Sequence, residues 1–277
     1  MQRALVLGGG GVTGVAWELG LLAGLVERGV PVTEADLVVG TSAGSLVGAQ
    51  VCSGLPLEQF YGEQLAPPSG VLAARLGFAT LARMVWAGGR TRDAVRSRAR
   101  IGAMALAART PSEASRRAVI EARLPGREWP ARRLLVTAVD ASTGEFVVFD
   151  RDSGVTLVDA VGASCAVPGV WPPVTVGARR YVDGGMRSAV NADLAAGAQR
   201  VLVVAPTSGA FGPMPRLATQ VAELRRSGAR VVVLTPDAAA RTAIGRNVLD
   251  PARRAGSARA GRAQAAAAAD EVAALWA

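Results

Sequence analysis

No histidine occurs in the 277 residues, and no lysine. The first absence removes Ser-His-Asp and Cys-His nucleophilic mechanisms, and every His-ligated metal site, before any motif is read. The second makes all 31 basic residues arginine. That one-sidedness reads as compositional bias more than as 31 selected sites. Two cysteines, Cys52 and Cys165, are too few for a disulfide framework and suit the cytoplasm. Aromatics make up only 4% of the chain. No run of about 18 strongly apolar, uncharged residues reads as a membrane span. Ala4–Leu7 is a short apolar run ending in four glycines, so it reads as a first strand and not as the apolar core of a signal peptide.

What is present is globular. Half the residues are hydrophobic and 19% are charged, which excludes disordered and fibrous classes. Net charge is +9, and it is localised. Residues 70–133 hold 14 Arg against 4 acids, net +10, while the rest carries 17 against 18. Anionic lipid headgroups attract such a segment, so peripheral membrane contact is one reading and a solvated cap the other. Nucleic acid is not expected as a partner, because aromatics are scarce in the segment and no nucleic-acid motif occurs.

The apolar runs alternate with helical periods. Ala4–Leu7 precedes Gly8–Gly11, and Val12–Arg28 has apolar residues at helical spacing. Leu37–Val39 precedes Gly40-Thr41-Ser42-Ala43-Gly44, with a buried helix expected over Ser45–Gly54. Strand, glycine turn and helix, repeated, predict a parallel sheet with helices on its faces. Residues 55–130 read as a helical insertion or cap. Leu134–Val139 and Phe146–Phe149 read as a hairpin, Val155–Ser164 as a helix, and Val174–Val182 as two strands broken at Gly177. Val201–Ala205 and Arg230–Thr235 are further strands around a helix near Arg216–Ser227. An Ala-rich helix is expected over Ala252–Trp276, and one α/β domain over residues 1–277.

Three glycine-punctuated constellations carry chemistry. Gly40-x-Ser42-x-Gly44 lies between a strand and a helix. Small flanking residues permit a sharp turn that lifts the serine hydroxyl above the sheet edge. The plainer reading is a turn with Thr41 or Ser42 as N-cap. Gly8–Gly11 with Gly14 contains Gly9-x-Gly11-x-x-Gly14, a dinucleotide-type fingerprint. That reading wants an acid at the end of the next strand, where Gly40-Thr41 stands instead. The same glycines suit an oxyanion hole of bare N–H groups. Asp183-Gly184-Gly185 follows Tyr181-Val182. Without histidine, a carboxylate is the reasonable proton acceptor for a serine, and partial burial would raise its basicity. Taken alone, Asp183 reads as an Asx-turn. Asp140 reads as a turn cap, and Ser164 and Cys165 as loop packing near the site. Cys52 reads as core, and Trp17, Trp86, Trp129 and Trp171 as core or pocket lining.

In this order the motifs resemble the patatin-like phospholipase family. The match runs through Leu5–Leu25, Val39–Gly48, Ser164–Val174 and Arg180–Gly185, over most of residues 1–200. The resemblance implies a three-layer α/β/α sandwich with a mainly parallel sheet. It implies a serine hydrolase of lipid or phospholipid acyl esters, working without metal or cofactor through an acyl-enzyme. Carried over, Ser42 and Asp183 form a dyad. Gly9, Gly10 and Gly11 supply the oxyanion hole, and Gly14, Gly40, Gly44, Gly184 and Gly185 are motif glycines. The family often has Arg or Lys before the last glycine of the first motif, where this chain has Thr13. Its Asn-Asn-x-Pro type segment is altered to Ser188-Ala189-Val190-Asn191. A nucleotide-binding module and a catalytically silent lipid-binding protein are the competing readings.

Overall fold

A computed structural model describes residues 2–67, 74, 77–210 and 212–277. Pro68 and Arg75, part of the expected cap and basic segment, lie outside the described residues.

The N-terminal half alternates as expected. Strand β1 (Arg3–Leu7) leads into helix α1 (Gly11–Glu27), then β2 (Leu37–Gly40) into α2 (Ala43–Cys52). Helix α2 begins directly after Ser42, two residues earlier than the apolar pattern suggested, because the turn is tight enough for Ala43 to start the helix. Helices α3 (Leu57–Leu65), α4 (Phe78–Gly89), α5 (Ala94–Leu106) and α6 (Glu113–Glu121) make up the insertion. The chain continues through β3 (Arg133–Asp140), β4 (Phe146–Phe149), α7 (Leu157–Ser164), β5 (Val174–Val176), β6 (Arg179–Asp183) and β7 (Arg200–Val204). It ends with α8 (Leu217–Arg226), β8 (Arg230–Leu234), α9 (Ala238–Ile244) and α10 (Arg254–Trp276). The short α9 has no counterpart in the sequence pattern, because its seven residues are too few to show a period.

The strands form one sheet in the order β5-β6-β3-β2-β1-β7-β8, with β4 paired to β3. From β3 to β8 the pairings are parallel; β4, β6 and β5 pair antiparallel. The parallel strands are covered on both faces, which is why they are apolar nearly throughout. Leu5, Leu7, Val38, Leu202 and Val204 point into a core with α1, α2, α7, α9 and α10. Ala4, Val6, Val39, Val201 and Val203 point the other way, toward α8. A third cluster joins α4 and α5 to Val139, Val182 and Met186 beside the end of β6.

Register decides where the site falls. On β3, Val136 pairs with Gly40 and Phe149, and Ala138 pairs with Asp183 and Val147. A strand residue has one neighbour on each edge, so β2 and β6 share the edge opposite β4. Running toward each other along that edge, they end two residues of β3 apart. The loops that follow Gly40 and Asp183 therefore meet.

Candidate active site

Ser42 sits at φ 53°, ψ −116°, a conformation costing a non-glycine residue roughly 1–3 kcal/mol. The surroundings hold it there. Ser42 N–H donates to Ser164 Oγ at 2.9 Å, and Ser42 C=O accepts from Ser45 Oγ and Cys165 Sγ. A Cβ on Gly44 would collide with the Leu7 carbonyl oxygen, and one on Gly40 would lie 2.5 Å from Ser45 Cα. Glycine is thus required on both sides of the serine for the helix to approach the strand so closely.

Ser42 Oγ donates to Asp183 Oδ2 at 2.7 Å. The other carboxylate oxygen, Oδ1, accepts the Gly185 N–H at 2.7 Å. The Asx-turn and the serine contact, alternatives from sequence, coexist on the two oxygens. Asp183 is 3% exposed. Burial pushes its carboxyl up to about 7, against the Ser42 and Gly185 hydrogen bonds and the Arg116 charge, which hold it down. Cys165 is the other nearby candidate nucleophile, and burial pushes its thiol up to about 11. At neutral pH it is an inert thiol donating to a carbonyl.

The pocket over Ser42 is a cavity of about 40 Å³ lined by Gly11, Ala43, Leu46, Val167, Trp171 and others. That holds a water or two and not an acyl chain. The glycine loop is arranged differently from the expectation in one respect. Gly9 N–H donates to Ala189 C=O at 2.7 Å, so it is not free to face an oxyanion. The N–H groups of Gly10, Gly11 and Ala43 meet no acceptor among the described residues. Of these three residues, Gly11 and Ala43 line the pocket with Ser42. The nucleotide reading loses its cradle. Cβ atoms on Gly10 and Gly11 would lie 2.5 Å from Pro206 Cβ and 2.6 Å from the Val248 carbonyl oxygen, so the protein's own chain fills the space a pyrophosphate needs.

A family model described as patatin-like phospholipase matches residues 5–196. The chain belongs to the patatin-like phospholipase family. Lipid hydrolysis follows at the level of the family, and the fold agrees with it. Among solved structures, VipD from Legionella pneumophila aligns over 98% of this chain and 67% of its own, at 14% identity and TM-score 0.50. The type III effector protein ExoU aligns over 98% and 53%, at 17% identity and TM-score 0.44. At 14% identity the likeness to VipD is one of fold. No curated protein sequence matches the chain.

Within this patatin-like frame, several residues matter that their types alone did not signal. Asn191, at φ 54° and fully buried, donates to Thr41 Oγ1 and to Ser188 C=O. Thr41 Oγ1 in turn takes the Thr137 hydroxyl. This network pins the serine turn to β3 and to the segment after Asp183. The altered family segment, ending in Asn191, was the available clue. Ser164 does more than pack, since it accepts the Ser42 amide. Gly184 is required because a Cβ would strike Thr137 Oγ1, and Gly14 N–H closes onto Gly10 C=O at the start of α1. Thr13 is tied to Val248 C=O and carries no charge into the site. Asp140 caps its turn by accepting the Ser142 and Thr143 N–H groups. Cys52 and Trp17 are core. Trp171 lines the pocket, and Trp86, 66% exposed, lines a groove between α4 and α5 and is not core.

Proposed function

We propose that the protein cleaves acyl esters of lipids through a Ser42–Asp183 dyad and an acyl-enzyme. The observation that carries this is the 2.7 Å hydrogen bond from Ser42 Oγ to Asp183 Oδ2 at a strained turn, in a chain without histidine. Ser42 Oγ attacks the ester carbonyl carbon while its proton passes to Asp183. A carboxyl titrating near 7 accepts a proton and returns it within the working range, which suits a general base better than an ordinary aspartate. Gly11 and Ala43 N–H groups, at the starts of α1 and α2, hold the oxyanion. Each such donor is worth about 3–4 kcal/mol of transition-state stabilisation. The protonated Asp183 gives its proton to the leaving alkoxide. Water then repeats the sequence on the acyl-Ser42 ester, with Asp183 again as base.

The α4–α5 hairpin supports peripheral contact with an anionic membrane. A groove of about 860 Å³ runs between these helices, lined by Arg83, Arg90, Arg100 and Arg109. Trp86 stands at its edge with the Arg90 guanidinium 4.6 Å above its ring. The groove reaches Gly169, in the loop whose Val167 and Trp171 line the catalytic pocket. Among the described residues no helix is long and apolar enough to cross a membrane.

Ester hydrolysis by Ser42→Ala and Asp183→Asn proteins tests the reading. Both should lose activity by at least about a thousandfold while keeping the wild-type fold. Wild-type turnover by the folded Ser42→Ala protein would rule the mechanism out. The silent lipid-binding alternative predicts that Ser42 never reacts with a fluorophosphonate.

A further inference from the structure

Two arginines of the cap face the same pocket as Ser42. Arg116 lies on α6 and Arg123 just beyond its end; with Ile120 they occupy helical positions i, i+4 and i+7, one face of the helix, and all three line the pocket. The Arg116 guanidinium stacks 4.0 Å over the Trp171 ring, which fixes its plane. Its Nε is shut off from solvent with no acceptor. Neither side chain makes a salt bridge or hydrogen bond among the described residues. The neighbouring acids, Glu121 and Asp159, are both taken by Arg117. Arg187 is matched with Asp193, and Arg262 with Glu27 and Glu58.

We infer that Arg116 and Arg123 form an anion subsite beside Ser42, which selects esters carrying a phosphate-type group on the molecule that bears the scissile acyl chain. Asp183 is the carboxylate whose charge reaches Arg116, and burial favours its neutral form; two half-buried guanidiniums so weakly compensated are costly, and an anion beside them removes that cost. Guanidinium geometry suits phosphate oxygens in particular. Burial lowers the proton affinity of both, Arg123 to about 10 with the Arg116 and Arg254 charges adding to the effect. Cationic crowding of this kind is relieved by a bound anion. The subsite stands in the cap, not at position 13, where the glycine loop has Thr13. This inference rests on the proposed Ser42 chemistry and specifies its substrate.

The test compares phosphatidylglycerol with diacylglycerol of the same acyl chains, both in neutral detergent micelles so that membrane charge plays no part. The kcat/KM ratio, anionic over neutral, is measured within each protein, which cancels effects common to both substrates. Wild type should favour phosphatidylglycerol by about tenfold or more, the value of one charge-assisted contact. Arg123→Gln and the double Arg116→Gln/Arg123→Gln variant should bring the ratio toward one, chiefly through KM, and Arg123→Lys, which keeps the charge but not the planar fork, should retain only part of it. Inorganic phosphate, with chloride as ionic-strength control, should slow fluorophosphonate labelling of wild-type Ser42; this arm needs no variant to fold. An unchanged ratio in the folded double variant would overturn the subsite. Inhibition by inorganic phosphate without headgroup preference would overturn its assignment to substrate. Failure of wild-type Ser42 to label at all would instead sink the hydrolase reading beneath it.

Discussion

Asp183 lies in surroundings that favour its protonated form, and this has a stability cost at neutral pH. Its carboxyl titrates near 7 in the folded protein and near 4 in an unfolded chain. The folded state therefore binds the proton more tightly. The associated stabilisation is complete below about pH 4 and is lost as pH rises through about 7. Asp183→Asn lacks this titration, so its melting temperature relative to wild type should climb between pH 5 and 8, measured by calorimetry at both ends. Glu18 is a second buried acid. It is fully buried on α1 with neither carboxylate oxygen in a well-formed hydrogen bond, and burial holds its carboxyl well above the ordinary range against a weak interaction with the Gly8 backbone. Glu18→Met should raise stability by about 1–3 kcal/mol in urea unfolding, the usual cost of an unsatisfied buried group. Ser42 and Asp183 were legible in the chain because glycines mark the turns that carry them. The Gly9 amide was not, since its partner is a backbone carbonyl of Ala189, and a carbonyl leaves no trace in residue type.

At the scale of elements, what could be read was the alternation of strand, turn and helix, and what could not was which strands share an edge. Ser42 and Asp183 are 141 positions apart, and they meet only because β6 runs antiparallel into the edge that β2 occupies. No local pattern encodes that pairing. The Ala-rich α10 was expected as a helix, and its composition has a reason visible only in packing. Gly20 and Gly24 of α1 face Ala258, Arg262 and Ala265, and a Cβ on Gly261 would strike the Trp17 carbonyl oxygen. Helices this close tolerate only small side chains at the crossing. Gly261→Ala should therefore destabilise the protein despite alanine's better helix propensity, by about 1–3 kcal/mol. A gain in stability on urea unfolding would show that the two helices can separate at no cost.

For the whole molecule, the uneven charge is the feature that composition exposed, and the fold gives it a location. The excess is spread over α4, α5, α6 and the stretches that join and follow them, with α4 and α5 beside the loop that forms one wall of the Ser42 pocket. Headgroup attraction of about 1 kcal/mol per arginine predicts sedimentation with phosphatidylglycerol vesicles, weak sedimentation with phosphatidylcholine, and loss of binding as salt rises. Replacing Arg83, Arg90 and Arg109 with Gln, together with Trp86→Ala, should reduce vesicle binding by at least about tenfold. Equal binding to both lipids would mean that the hairpin is only a solvated cap.

In the proposed mechanism a carboxylate alone makes the Ser42 hydroxyl reactive. Its most direct measurement is the rate of fluorophosphonate labelling against pH, with the modified residue located by mass spectrometry. One adduct, on Ser42, should form faster as pH rises through about 7 and then level, as Asp183 ionises, with labelling all but lost in Asp183→Asn. Labelling of the Asp183→Asn protein at the wild-type rate would contradict the mechanism.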